Sequence, residues 1–209
     1  MADDVRDLEV APEPESRESK GERTRRQLLE IAIDHFGSAG FRATSVSEIT
    51  RTAGLTQAAS YAYFDNKEAL FREAVDTDAA ALVHEAAAQA EGVEPRQLIP
   101  SLLLFLSGGL ERHPLTERVL QGLEPEAMEQ LVDLPAVHEV GELVAGAIRE
   151  GQTRGEVRAD LDPEVVGAGV EALVLGLVMS LAHGGGATTQ RHAFGVVSAF
   201  DALLRPPEG

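Results

Sequence analysis

No cysteine occurs in the 209 residues, which excludes disulfide frameworks, thiolate zinc sites and a cysteine nucleophile. A reducing cytoplasm is the simplest setting for such a chain. The first 21 residues lack the apolar run of a secretory signal and carry Asp3, Asp4, Asp7 and Glu9 early. There is no internal repeat, no GxGxxG, GxSxG or P-loop pattern, and no HExxH. His138 and Glu142 stand four apart, but no second histidine in register completes a metal set. The glycines at 184–186 have no preceding strand to make a phosphate cradle. No enzyme activity, cofactor or metal is therefore expected.

Bases are scarce as well, and the net charge is −17. Phosphate affinity rests on Lys and Arg, so this balance argues at first against nucleic acid. Its distribution changes the reading. Residues 1–20 hold seven acids and three bases, and residues 21–75 hold seven of each. Residues 76–209 hold 21 acids and eight bases. The segment from 21 to 75 is neutral and gathers Arg23, Arg25 and Arg26 at its start. Aromatics are few: after residue 75 only Phe105, Phe194 and Phe200 occur, which speaks against an aromatic cage for a planar cation.

What is present is helix. Residues 1–20 read as a disordered acidic tail with Pro12 and Pro14. From Gly21 the apolar spacing is helical: Leu28, Leu29, Ala32, Phe36 and Ala39 share one face, and Gly40 ends it. Ser45 with Glu48 three residues on is a capping box. Val46, Ile49 and Ala53 form the next inner stripe, and Gly54 closes that helix with a positive φ. Thr56 is the expected N-cap of a third helix reaching about Phe64. A fourth runs from Lys67 to about Glu91. Further helices are predicted at 95–111, 115–132 and 137–153. Asp162-Pro163, a cap followed by proline at the first helical position, starts one that runs to 183. A last helix is predicted at 188–204. No segment alternates as a strand does, so the chain is all-α.

Two short helices joined by a glycine turn, between Val46 and Phe64, make a helix-turn-helix, whose second helix suits a major groove. On a helical wheel Ser60 and Phe64 face the core beside Leu55. Gln57, Ala58, Tyr61 and Ala62 face outward. Gln can pair with adenine, and alanine methyls can touch thymine methyls. Thr44, Ser45, Ser47, Thr56, Tyr63 and Lys67 bracket this face as candidates for phosphate contact, with Arg23, Arg25 and Arg26 adding charge. Taken singly, Tyr61 and Tyr63 are equally readable as packing residues, and a glycine turn as a plain helix hairpin.

Residues 23–75 resemble the DNA-binding domain of the TetR family of regulators. The resemblance is carried by the Arg-rich start, Phe36 to Gly40, Thr44-Ser45-Val46, Glu48-Ile49, Ala53-Gly54-Leu55-Thr56, Tyr61-x-Tyr63-Phe64 and Lys67-Glu68-x-Leu70. Thr50 and Ala59 depart from the usual Ala and hydroxyl residue. The segment Gly151 to Glu164 is similar to the loop before the family's penultimate helix. The resemblance implies three units: the tail at 1–20, a three-helix DNA-binding domain at 21–66, and an effector-binding and dimerisation domain at 67–205. It also implies a regulator, most simply a repressor released from a palindromic operator by a small molecule.

The helix at 163–183 is apolar almost all round, so it needs cover on more than one side. Glu171 interrupts its apolar run, and Gly167, Gly169 and Gly176 suit close packing in a bundle better than a membrane span. With 188–204, whose stripe is Phe194, Val197, Phe200 and Leu204, it is expected to form a homodimer that matches two half-sites. Leu82, Leu102, Phe105, Leu106, Met128, Leu131, Leu143, Val144 and Leu175 are candidates to line a pocket for an apolar or amphipathic effector. Each is equally readable as plain core. His84, His113, His138, His183 and Glu171 are the polar candidates. The competing reading is a helical ligand-binding or scaffolding protein that has lost DNA recognition, suggested by the acid balance.

Overall fold

A computed structural model describes residues 19–124, 127, 135–183 and 187–206, and these are helical with short connections. The acidic segment before Ser19 lies outside the described residues, as do the candidates Met128 and Leu131. Helix α1 (Lys20–Ala43) starts one residue before the sequence pattern, because Ser19 and Glu22 form a reciprocal capping box. Its regular course ends at Gly40, whose φ of 84° only glycine adopts without strain. Leu28, Leu29, Ala32 and Phe36 are buried as expected, but Ala39 is exposed. The helix is bending out of its regular path there, and the expected stripe stops one turn early.

Helices α2 (Val46–Thr52) and α3 (Gln57–Ser60) follow, and α4 (Lys67–Gln89) carries the chain from this small domain into the larger one. The two share a core in which Phe71 of α4 meets Phe36 edge-on with ring centroids 5.1 Å apart, and Phe41 at 4.8 Å. Three of the nine aromatics are thus spent on fixing α1 to α4.

The remainder is a helical bundle. Helix α5 spans Pro95–Gly109 and continues as a 3₁₀ turn, Leu110–Arg112. Helix α6 is Pro114–Leu120, α7 is Pro135–Arg154, α8 is Pro163–Ala182 and α9 is Ala187–Leu204. The single helix expected at 115–132 is not seen. After Leu120 the chain turns at Gln121–Glu124 with Gly122 at φ 71°, because the buried Glu124 is drawn back toward α1. Asp162 caps α8 through the N–H groups of Glu164 and Val165, as Asp-Pro implied. Helices α7 and α8 cross with their backbones touching: a Cβ on Gly167 would stand 2.5 Å from the Gly141 carbonyl oxygen.

Candidate nucleic-acid interface and effector cavity

The helix-turn-helix is built from local signals. Ser45 Oγ accepts from the Glu48 N–H while the Glu48 carboxylate accepts from the Ser45 N–H. Gly54 has φ 71° in the turn, and Leu55 donates back to the Thr50 carbonyl at 2.8 Å. Thr56 caps α3 by accepting from the Ala59 N–H. The helix is shorter than the sequence pattern. Past Ser60 the chain tightens into turns, with Tyr63 and Phe64 both donating to the Ser60 carbonyl, so the rod expected to reach Phe64 ends in a tight coil.

The outward face nonetheless emerges as the wheel has it. Gln57, Ala58, Tyr61 and Ala62 are exposed, Tyr61 by 51%, while Ser60 and Phe64 are buried. Gln57 Nε2 and the Tyr61 hydroxyl lie 3.4 Å apart, so the two larger side chains of this face orient each other. Thr50 is buried, and its hydroxyl donates to the Ser47 carbonyl, so the departure at this position costs no unsatisfied group.

The flanking candidates divide. Ser47, Thr56, Arg23 and Arg26 are exposed, and Lys67 is half-buried with its ammonium 4.4 Å from the Phe41 ring. Thr44 is not available to phosphate. It is buried, and its hydroxyl reaches back to the Gly40 and His35 carbonyls, where it terminates α1. Ser45 is occupied as the cap. Tyr63 is half-buried against the core. Arg25 is paired with Glu73 of α4 and lies over the Phe64 ring at 5.0 Å, so it joins α1 to α4. Arg42 and Arg51, both exposed, were passed over by the motif-led reading. They were visible in the count of seven bases between 21 and 75.

In the bundle an apolar cavity of about 60 Å³ opens between α4, α5, α6, α7 and α8. Of the expected lining residues it is bounded by Leu82, Leu106 and Leu175. Leu102 and Val144 are buried in the core, and Phe105 and Leu143 pack half-buried against it. None of these four bounds the cavity. Ala136, Val137, Val140, Val174 and Val178 do so instead, with Thr116 and Glu171 as the polar members. That volume is below what a drug-sized ligand fills, so an occupant must displace side chains.

One wall carries a buried polar cluster. Asp78 on α4 accepts from the Thr116 N–H and hydroxyl, each at 2.8 Å, and its other oxygen lies 3.0 Å from His113 Nδ1. His113 is held above the usual imidazole range, chiefly by this bond, with burial opposing and Glu85 adding a smaller push. Helix α6 is thereby tied to the cavity wall. Its other side is tied to α1: a Cβ on Gly37 would meet the Pro114 ring at 3.0 Å. Buried Glu124 accepts from Arg118 and from the Phe41 N–H, the latter at 3.1 Å. The other histidine candidates are exposed: His84 pairs with Glu139, His138 with Glu171, and His183 with the Met179 carbonyl.

Residues 28–74 match the family model for bacterial regulatory proteins of the tetR family. The chain is 39% identical over 106 residues to the uncharacterized HTH-type transcriptional regulator YdgC of Bacillus subtilis, covering 51% of this chain and 47% of that one. The matched stretch thus spans about half of that relative. The HTH-type transcriptional repressor NicS of Pseudomonas putida is 28% identical over 152 residues, covering 69% and 71% of the two chains. A TetR-family regulator structure from Cytophaga hutchinsonii superposes with a TM-score of 0.68 over 90% of this chain and 97% of its own, at 21% identity, a likeness of fold. Motif, architecture and relatives agree: residues 28–74 match the tetR family of bacterial regulatory proteins, and the chain shares its fold with solved TetR-family regulators.

Proposed function

We propose that this protein is a DNA-binding transcriptional regulator, a homodimeric repressor that leaves a palindromic operator when a small molecule occupies the cavity. The observation that carries the reading is the single outward face of Gln57, Ala58, Tyr61 and Ala62 on a capped, buried-backed helix. Such a face reads base edges, while exposed Arg23, Arg26, Ser47 and Thr56 supply backbone contacts. The match to a relative named as a repressor supports the sign of regulation.

Dimerisation is supported by what α8 and α9 leave uncovered. Val170, Val174, Leu177 and Val178 of α8 are buried, yet Val165 and Leu173 are exposed, and Phe194 of α9 is 76% exposed. Among the described residues α8 is long and apolar enough to cross a membrane, and with only 28% of that stretch buried its own chain leaves most of it uncovered. A second copy placed against α8 and α9 covers these side chains and sets two α3 faces at half-site spacing. Release works through α6. An occupant that pushes Thr116 moves a helix locked to Asp78 on one side and, through Pro114 and the Arg118–Glu124 pair, to Gly37 and Phe41 on the other. The setting is the cytoplasm, where operator and effector meet.

A gel shift with the DNA upstream of the protein's own coding region tests this. A sequence-specific complex at moderate salt is expected. Equal affinity for random duplex instead favours the competing reading, a helical ligand-binding or scaffolding protein without DNA recognition, to which the net charge of −17 points.

A further inference from the structure

The cavity and the molecular surface meet at one side chain. Glu171 on α8 bounds the apolar cavity with its aliphatic stem, and its carboxylate lies at an outer groove between α7 and α8 that His138, Glu142, Arg149 and Glu164 also line. Its side chain is only 17% exposed, and Oε1 lies 3.0 Å from His138 Nδ1. Oε2 is turned toward Gly141, where a Cβ would stand 2.7 Å from it, so a glycine on the facing helix makes the space for this oxygen. A carboxylate has more acceptor sites than one imidazole fills.

We propose that the effector is an amphipathic cation, with an ammonium group seated on Glu171 and an apolar body in the cavity between Leu82, Leu106, Val140 and Val178. This rests on the reading of that cavity as the effector site. The other polar group of the lining does not compete for a charged head, because the Thr116 hydroxyl already donates to Asp78. An anionic head would meet Glu171, Glu142 and Glu164, with Arg149 already paired to Glu164. A neutral hydroxyl head could donate only an uncharged hydrogen bond to a carboxylate that His138 already contacts. A cation gains a charge-assisted contact in a place where water is partly excluded. The acid excess beyond residue 75 also raises the local concentration of cations over anions.

Three probes with one tail and different heads separate the possibilities: hexylammonium, 1-hexanol and hexanoate. Binding is followed by calorimetry on the intact protein, and function by release of the operator complex. Hexylammonium should bind about tenfold tighter than hexanol, and hexanoate more weakly than both. In Glu171→Gln the ammonium probe should fall to the level of hexanol, with hexanol itself unchanged. The ranking of the three heads on the wild-type protein needs no variant and stands if the substitution harms folding. Equal binding of hexylammonium and hexanol, with release by both, overturns the cationic head and leaves the cavity as the effector site. Tightest binding of hexanoate does the same. Failure of all three to bind or to release DNA overturns the effector reading of the cavity along with the inference.

Discussion

The two halves of this protein are specified in different ways. The DNA-binding domain is a string of local instructions: two capping boxes, Gly40 and Gly54 at positive φ, and Thr56 as a side-chain cap. Each acts within four residues of itself. The bundle is specified by long-range fit instead: Gly141 against Gly167, Pro114 against Gly37, and Asp78 reaching 38 residues on to Thr116. Charge divides the same way, with the neutral segment carrying the outward reading face and the acid excess lying beyond it. A protein divided so should lose DNA recognition without losing its fold in one half, and lose its fold without an altered surface in the other.

The largest effect is expected at Asp78. Replacing it with Ala leaves His113 and the Thr116 N–H buried without their acceptor, a change that costs about 3–5 kcal/mol. The melting temperature at fixed protein concentration should fall by about 6–20 °C. A fall of under 2 °C would remove the cluster from its place as the bundle's anchor. Next is the proposed dimer face: Phe194→Glu should weaken self-association by about 30-fold or more, read by sedimentation, and operator affinity should fall with it. Unchanged sedimentation would place the interface elsewhere.

In the other half the effects are on recognition. Gln57→Ala should weaken specific binding by about 1–3 kcal/mol at one base position, with the melting temperature unmoved. Ala at Arg23 should lower the salt slope of DNA binding by about one, as should Ala at Arg26, whose contact with Glu30 is exposed on both sides, whereas Ala at Arg25, whose pair with Glu73 ties α1 to α4, should lower stability more than the slope. An equal slope change at all three would break the distinction.

The smallest effect is the response to pH. Because His113 is held above its usual range, the stability it contributes is complete below about pH 6.5, the ordinary value. It is lost as pH rises through the higher folded value. The gap in melting temperature between wild type and Asp78→Asn should therefore narrow as pH rises above about 6.5. A widening gap would reverse the assigned sign.

The same division explains what could be read beforehand. The Ser45–Glu48 box, Gly54, Thr56 and the outward set Gln57, Ala58, Tyr61 and Ala62 were legible, because caps and the helical period are local physics. Thr44 was misread as a phosphate contact, since nothing local shows that its hydroxyl turns back to Gly40. The break after Leu120 depends on Glu124 reaching Phe41, 83 residues away. The cavity was the least legible feature. In a layered bundle a Leu bounding a cavity and a Leu in solid core share the same spacing, so Leu82, Leu106 and Leu175 could not be told from Leu102 or Val144. Glu171 did stand out as the charge interrupting an apolar helix, but its partner His138 lies 33 residues away.

The most direct test of the central claim is a fluorescence anisotropy titration of the upstream operator and a scrambled duplex with wild type and the Gln57→Ala, Tyr61→Ala double variant. The account predicts that wild type prefers the operator, and that the double variant sediments as a dimer yet binds both duplexes alike. A double variant that keeps the wild-type preference would contradict it, because recognition would then lie on another face.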